Sequence, residues 1–274
     1  MSKLFKELIY FFIFLVLFSG VFFSEVYTGD ITESVGVGVI NYSTGRVRAS
    51  GIGTPSGNIQ SAAEKKETAR MAADITARRN LLEVLKGVRF DSETILEKFI
   101  TQNGVINAQI SSIVENSQEV TLKEHPDGSF EVTVEIPLQG QLLESILTNT
   151  GSGIPAFKPD ETQNYTGLIV DCIGLGIKPA IAPKIFDEGG KELYGLSHVA
   201  WEFAVRQGIA GYVKSLADAV KNDRAGKNPI VIKGLASEGS MQVNVVINSS
   251  YREKLEKINE TQTFLRQCKV IFVI

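Results

Sequence analysis

Apolar positions recur along this chain with two different periods. Residues 45–53, 119–124 and 129–136 alternate apolar and polar, the pattern of half-buried strands. The last two flank Pro126-Asp127-Gly128, a turn sequence, so a β-hairpin is predicted there. Between the first and second of these stretches, residues 61–86 are rich in Ala, Glu, Lys, Arg and Leu and predict one long helix. Met71, Ile75, Leu82 and Leu85 share a face of it and are expected to form its core stripe. Arg78 falls close to that stripe, where it either snorkels from the edge of the core or is held by a carboxylate. Gly87 ends the helix, residues 88–90 suit a short strand, and Asp91 or Ser92 is placed to cap a helix reaching Phe99. A further helix is expected over residues 106–115, where Ile106, Ile110 and Ile113 share a face.

Residues 149–164 turn to Thr, Gly, Ser, Pro, Asp and Asn without apolar periodicity, and read as a linker. Beyond it, residues 167–172 are a short apolar run suited to a central strand. Residues 184–186 and 192–194 flank Asp187-Glu188-Gly189-Gly190 as a second hairpin. Residues 201–220 predict a helix containing Gly208 and Gly211, each costing ~1 kcal/mol relative to Ala and so implying close packing or a break. Residues 229–233, 243–247 and 269–274 read as strands, and the last must pair inside a sheet to avoid an apolar edge. The expected fold is mixed α+β: two domains, residues 30–148 and 165–274, whose small sheets are each packed with one long helix, after an N-terminal hydrophobic segment.

That segment bears on location. Lys3 and Lys6 precede an uncharged apolar run over residues 8–18, as in a signal peptide, which would occupy residues 1–24. Carried through to Ser24, the run reaches the ~17 residues that begin to span a bilayer, so a retained anchor over residues 8–24 is the alternative. Both place the protein in the periplasm or envelope. No cysteine lies nearby to carry a lipid.

Composition adds little chemistry. A formal charge of −3 lacks the basic surplus of a nucleic-acid binder. Cys172 and Cys268, the two cysteines, both lie in strand-like runs and either pair or stay as buried thiols. His125 and His198 have no cysteine at metal-ligand spacing and are expected in surface or capping roles. Gly174-Leu175-Gly176-Ile177-Lys178-Pro179 has the look of a nucleotide-binding turn but lacks the third glycine, and Pro179 and Pro183 oppose the helix that would receive phosphate. A structural turn is expected. Asp171, near the end of an apolar strand, needs solvent or a partner such as Lys178 or Lys184. Tyr165, Tyr194, Trp201 and Tyr212 suit core packing or an interface, and the sequons at Asn41, Asn164, Asn248 and Asn259 suggest surface loops. No catalytic, cofactor-binding or metal-ligating residue is nominated.

Ala69-Arg70-Met71-Ala72-Ala73, Ala77-Arg78-Arg79-Asn80-Leu81-Leu82, Lys86-Gly87-Val88-Arg89-Phe90-Asp91-Ser92-Glu93-Thr94 and the Pro126-Asp127-Gly128 hairpin lie within residues 61–137. That stretch resembles the bacterial envelope family of LPP-type lipoproteins and FlgP/FlgT-like flagellar ring proteins. The resemblance implies a compact domain with a long helix on a small sheet, used in periplasmic or outer-membrane-associated rings around the flagellar motor. It implies no catalytic residues. The acylated cysteine of the lipoprotein members is missing, which puts outer-membrane anchoring in doubt. The expected role is therefore a non-enzymatic structural or assembly protein that self-associates or docks on envelope or flagellar proteins. The alternative is a periplasmic module binding a ligand or protein.

Overall fold

The alternating stretches assemble into an antiparallel sheet. In this computed structural model, which describes residues 29–57, 61–150, 165–261 and 263–274, the first sheet has five strands. They are β1 (Thr32–Val35), β2 (Gly38–Asn41), β3 (Arg46–Gly53), β4 (Gln118–Glu124) and β5 (Phe130–Pro137), in the order β1-β2-β3-β5-β4. The β4–β5 hairpin turns at Gly128, φ +82°, with Asp127 Oδ1 accepting the Ser129 N–H at 3.0 Å. The leader over residues 1–24 and nearly all of the expected linker lie outside the described residues.

Helix α1 (Ala62–Lys86) is capped by Ser61 and crosses β3 and β5. Its buried face is Ala69, Ala73, Ala77, Leu81, Val84 and Leu85, which corrects the expected stripe: Met71 and Ile75 are 54% and 65% exposed. Glycines in β3 are the reason. A Cβ on Gly51 would lie 2.1 Å from Ala77 N, and one on Gly53 2.0 Å from Ala69 O. The helix backbone rests directly on the strand there. Only methyl side chains fit between them, so the larger apolar residues face outward.

Arg78 is held rather than snorkelling. It donates to Asp74 Oδ2 at 2.9 Å and to the carbonyls of Val114 (3.1 Å), Glu115 (2.6 Å) and Ser117 (3.1 Å). These carbonyls lie at the end of α3 (Gly104–Glu115), where a cation meets the negative end of the helix. The preceding helix, α2 (Leu96–Gln102), starts later than expected. Asp91 Oδ1 accepts the Glu93 N–H in a local turn instead of capping a helix, and residues 88–90 supply only a single bridge, Arg89 to Ile95. A helix that pattern reading leaves unassigned, α4 (Gln141–Thr150), buries Leu142, Leu143, Ile146 and Leu147 and takes in the first residues of the expected linker.

The second sheet is mixed. It comprises β6 (Gly167–Asp171), β7 (Ile185–Asp187), β8 (Glu192–Tyr194), β9 (Gly211–Val213), β10 (Pro229–Glu238), β11 (Asn244–Ile247) and β12 (Val270–Val273), in the order β8-β7-β11-β10-β6-β12-β9. Apolar β6 is central and parallel to both β10 and β12, and β12 lies between β6 and β9, so neither of its edges is open. The helix expected over residues 201–220 is broken. Its first part, α5 (Trp201–Gln207), stops at Gly208, φ +78°, whose N–H bonds Ala204 O. Residues 211–213 then form β9, and α6 (Leu216–Lys221) follows under its own Ser215 cap. A last helix, α7 (Arg252–Thr261), precedes β12.

One face of the second sheet, with Leu168, Val170, Ile232 and Phe272, joins a hydrophobic cluster that also contains Ile40, Val47, Leu81 and Val134 of the first half. The core is continuous through both sheets. The opposite face, with Ile169, Ile271 and Val273, packs on Ala219 of α6 and on Ala225. The fold is mixed α+β, as the pattern implied.

Candidate functional site: the seam between the sheets

Residues leaving α1 build the seam. Residues 89 and 90 run beside residues 179–182, with Ile181 N–H donating to Arg89 O (3.0 Å) and Ala182 N–H to Phe90 O (2.6 Å). The Arg89 side chain is central. Its Nε donates to Pro179 O at 2.9 Å, and its two terminal nitrogens grip Glu33 of β1, one at 3.0 Å. It lies 5.9 Å from the centroid of the Tyr42 ring, and Tyr42 meets Tyr212 of β9 edge-on at 6.1 Å. The Tyr212 hydroxyl accepts the Ala180 N–H at 3.0 Å and donates to Ala180 O at 2.9 Å. Ser43 Oγ donates to Tyr212 O at 2.9 Å. Elsewhere along the junction, Ser92 O accepts from Met241 N–H and Ser240 Oγ, and Gly140 N–H donates to Val205 O.

Burial lifts the phenols of Tyr42, Tyr194 and Tyr212 well above the ordinary tyrosine value. They stay neutral, Tyr194 and Tyr212 as hydrogen-bonding groups and Tyr42 as a packing group. Tyr194 donates to Ile209 O at 2.7 Å within the core, and Trp201 packs partly buried against the same core. Of the aromatic residues singled out, Tyr212 is the one on the seam.

The thiols are unpaired and far apart. Cys172 lies four residues beyond Leu168, and Cys268 two before Val270, and Leu168 and Val270 are partners in parallel strands. They lie beyond opposite ends of the paired span Leu168–Asp171 and Val270–Val273, whose three rises alone are ~10 Å, beyond the reach of a disulfide. Burial pushes both thiols up to about 12, so neither is a thiolate near neutrality. The native protein is expected to resist alkylation by iodoacetamide and to take up two equivalents once unfolded in urea, without reductant; mass spectrometry reads the difference.

Gly174 and Gly176 have φ of +82° and +68° and form a turn with no helix behind it, as the missing third glycine implied. Asp171 accepts the Ile173 N–H at 3.1 Å, while Lys184, one of its expected partners, pairs with Glu192 at 2.8 Å. His125 Nε2 lies 3.3 Å from Glu131 beside the hairpin turn. The sequon residue Asn41 is buried in β2 and donates to Asp30, which corrects its expected loop placement; Asn248 caps a short 3-10 turn. Arg224, which sequence reading passed over, donates to the carbonyls of Gln207, Gly208 and Cys268 and closes the end of α5.

Ser197, His198 and Glu192 come together, but in the wrong order for a nucleophile. Ser197 Oγ and Glu192 Oε1 both approach His198 Nδ1, at 2.9 and 3.3 Å, whereas activating a serine places hydroxyl and carboxylate on opposite ring nitrogens. The hydrogen bond from His198, helped by Lys184 and Ser197 against the opposing effect of burial, holds the Glu192 carboxyl at about 2 instead of 4.5. Its folded value lies below its unfolded one, so the bonded carboxylate stabilises the fold above about pH 4.5 and that contribution vanishes as pH falls towards 2. Glu192→Gln is expected to cost about 1–2 kcal/mol at pH 7 and much less once pH falls through about 2, measured by urea unfolding across a pH series.

These features define a two-sheet α+β protein whose polar interior groups join the sheets and cap helices. Residues 167–274 match the family model of the second domain of Treponema pallidum Tp0624, from the first residue of β6 to Ile274. No curated protein matches the chain. The stretch that resembles the LPP-type and FlgP/FlgT-like proteins, residues 61–137, lies outside the matched region.

Proposed function

We propose that this protein is a non-enzymatic, exported component of a bacterial cell envelope, structural or assembly in role. The observation that carries the reading is the seam. Arg89, Glu33, Tyr42 and Tyr212 join two sheets around one core, and their polar groups serve packing within the body. The basic and apolar leader supports export, and the similarity of the second half to a Treponema pallidum domain supports a bacterial setting. The resemblance over residues 61–137 makes a flagellar basal-body ring the finer form of the proposal.

Deletion and fractionation test it. The protein is expected in the periplasm or membrane fraction, and its loss is expected to impair envelope architecture or motility. A wholly cytosolic protein whose deletion leaves both intact sinks the proposal. A binding module is the second reading, favoured by one observation: the outer face of β10 is uncovered, with Val231 and Leu235 48% and 47% exposed on either side of Lys233.

A further inference from the structure

We propose that the outer face of α1 recognises a second copy of this chain; this rests on the assembly reading and names a partner for it. Glu67, Met71, Ile75 and Arg79 are spaced four apart and form one ridge on the side of the helix away from the sheet. All four are exposed. Two large apolar side chains stand in solvent on successive turns, while Ala69, Ala73 and Ala77 occupy the buried face at that level. Over these turns that reverses the usual amphipathic pattern and leaves an apolar patch with no described residue covering it.

Charge identifies the occupant. The helix's other charged side chains from Arg70 onward form ion pairs within the chain: Arg70 with Glu119, Arg78 with Asp74, and Lys86 with Glu83. Lys66 likewise pairs with Glu124. Among the described residues, Glu64 and Lys65 near the helix start and Glu67 and Arg79 join no ion pair, and of these Glu67 and Arg79 bracket the two apolar residues. Along the ridge the order is acidic, apolar, apolar, basic, and an antiparallel copy presents the reverse order. Position 73 is midway between Met71 and Ile75, and also midway between Glu67 and Arg79. A two-fold axis at that level sets each Met71 on the partner's Ile75 and each Glu67 against the partner's Arg79, both contacts occurring twice. Helix axes ~8–10 Å apart leave room for these side chains to interdigitate and for the longer pair to bridge. One helix crossing covers less than the ~800 Å² per partner of a standard interface, so micromolar or weaker affinity is expected.

Sedimentation velocity on the full chain in a non-ionic detergent, over a concentration series, tests the ridge. The wild type is expected to dimerise. Glu67→Arg or Arg79→Glu alone creates two like-charge contacts and weakens dimerisation at least tenfold, whereas the double variant Glu67→Arg/Arg79→Glu restores the complementarity and returns to within about threefold of wild type. All variants are expected to keep the wild-type circular dichroism and thermal midpoint, because both side chains are exposed. A protein monomeric at every concentration, single variants that dimerise like wild type, or a double variant as weak as the singles each overturns the proposal. An envelope-bound protein indifferent to the swaps loses this surface and keeps the assembly reading, which rests on fractionation and the deletion phenotype.

Discussion

Alanine at Gly51 or Gly53 is expected to lift α1 off the first sheet and cost about 3 kcal/mol or more, at the upper end of overpacking effects. The added methyl would sit 2.1 Å from Ala77 N in one case and 2.0 Å from Ala69 O in the other. Both obstacles are backbone, which cannot rotate aside as a side chain does. The helix must move as a body, and the contacts of Leu81, Val84 and Leu85 loosen with it. Gly57→Ala is the control, since its methyl would meet nothing within 4 Å, and a change of less than about 0.5 kcal/mol is expected there. Equilibrium urea unfolding measures all three. A Gly51→Ala protein as stable as wild type would mean that the helix does not rest on β3.

Arg89→Met is expected to cost about 3 kcal/mol and to loosen the two halves from each other. Arg89 is only 14% exposed at its side chain and Glu33 35%. Removing the guanidinium leaves the Glu33 carboxylate without its partner and Pro179 O without a donor. The double variant Arg89→Met/Glu33→Gln is expected to recover part of the loss, because the stranded charge goes with it. Trp201, the single tryptophan, lies on α5, which contacts α4 of the first half, so its fluorescence reports the junction. An unchanged midpoint and spectrum in Arg89→Met would show that the seam does not depend on this pair.

What could be read in the sequence depended on how each residue is packed. The β4–β5 hairpin was legible because alternation, Pro126 and Gly128 all point to one structure. Central β6 was legible because a strand buried on both faces needs a continuous apolar run. The long helix was legible as a helix, but its face was not. Hydrophobic periodicity ranks Met71 and Ile75 above Ala69, Ala73 and Ala77, and the glycines that reverse this ranking lie on the preceding strand, where a helical period does not register them. The helix over residues 201–220 failed for a local reason, since Gly208 and Gly211 carried the break that their cost already allowed. The seam was illegible because Glu33, Tyr42, Arg89 and Tyr212 form no motif. They meet only when two sheets dock, and the Arg89 signal, a charge inside the Val88-Arg89-Phe90 run, reads equally well as a solvent-facing strand position.

The claim that this is a body built for assembly in the cell envelope is tested most directly by its native size in envelopes gently solubilised from its own cells. Native electrophoresis with immunodetection is expected to find the protein in the envelope fraction, in a complex larger than a single chain. A monomer recovered from the cytosolic fraction would contradict the account.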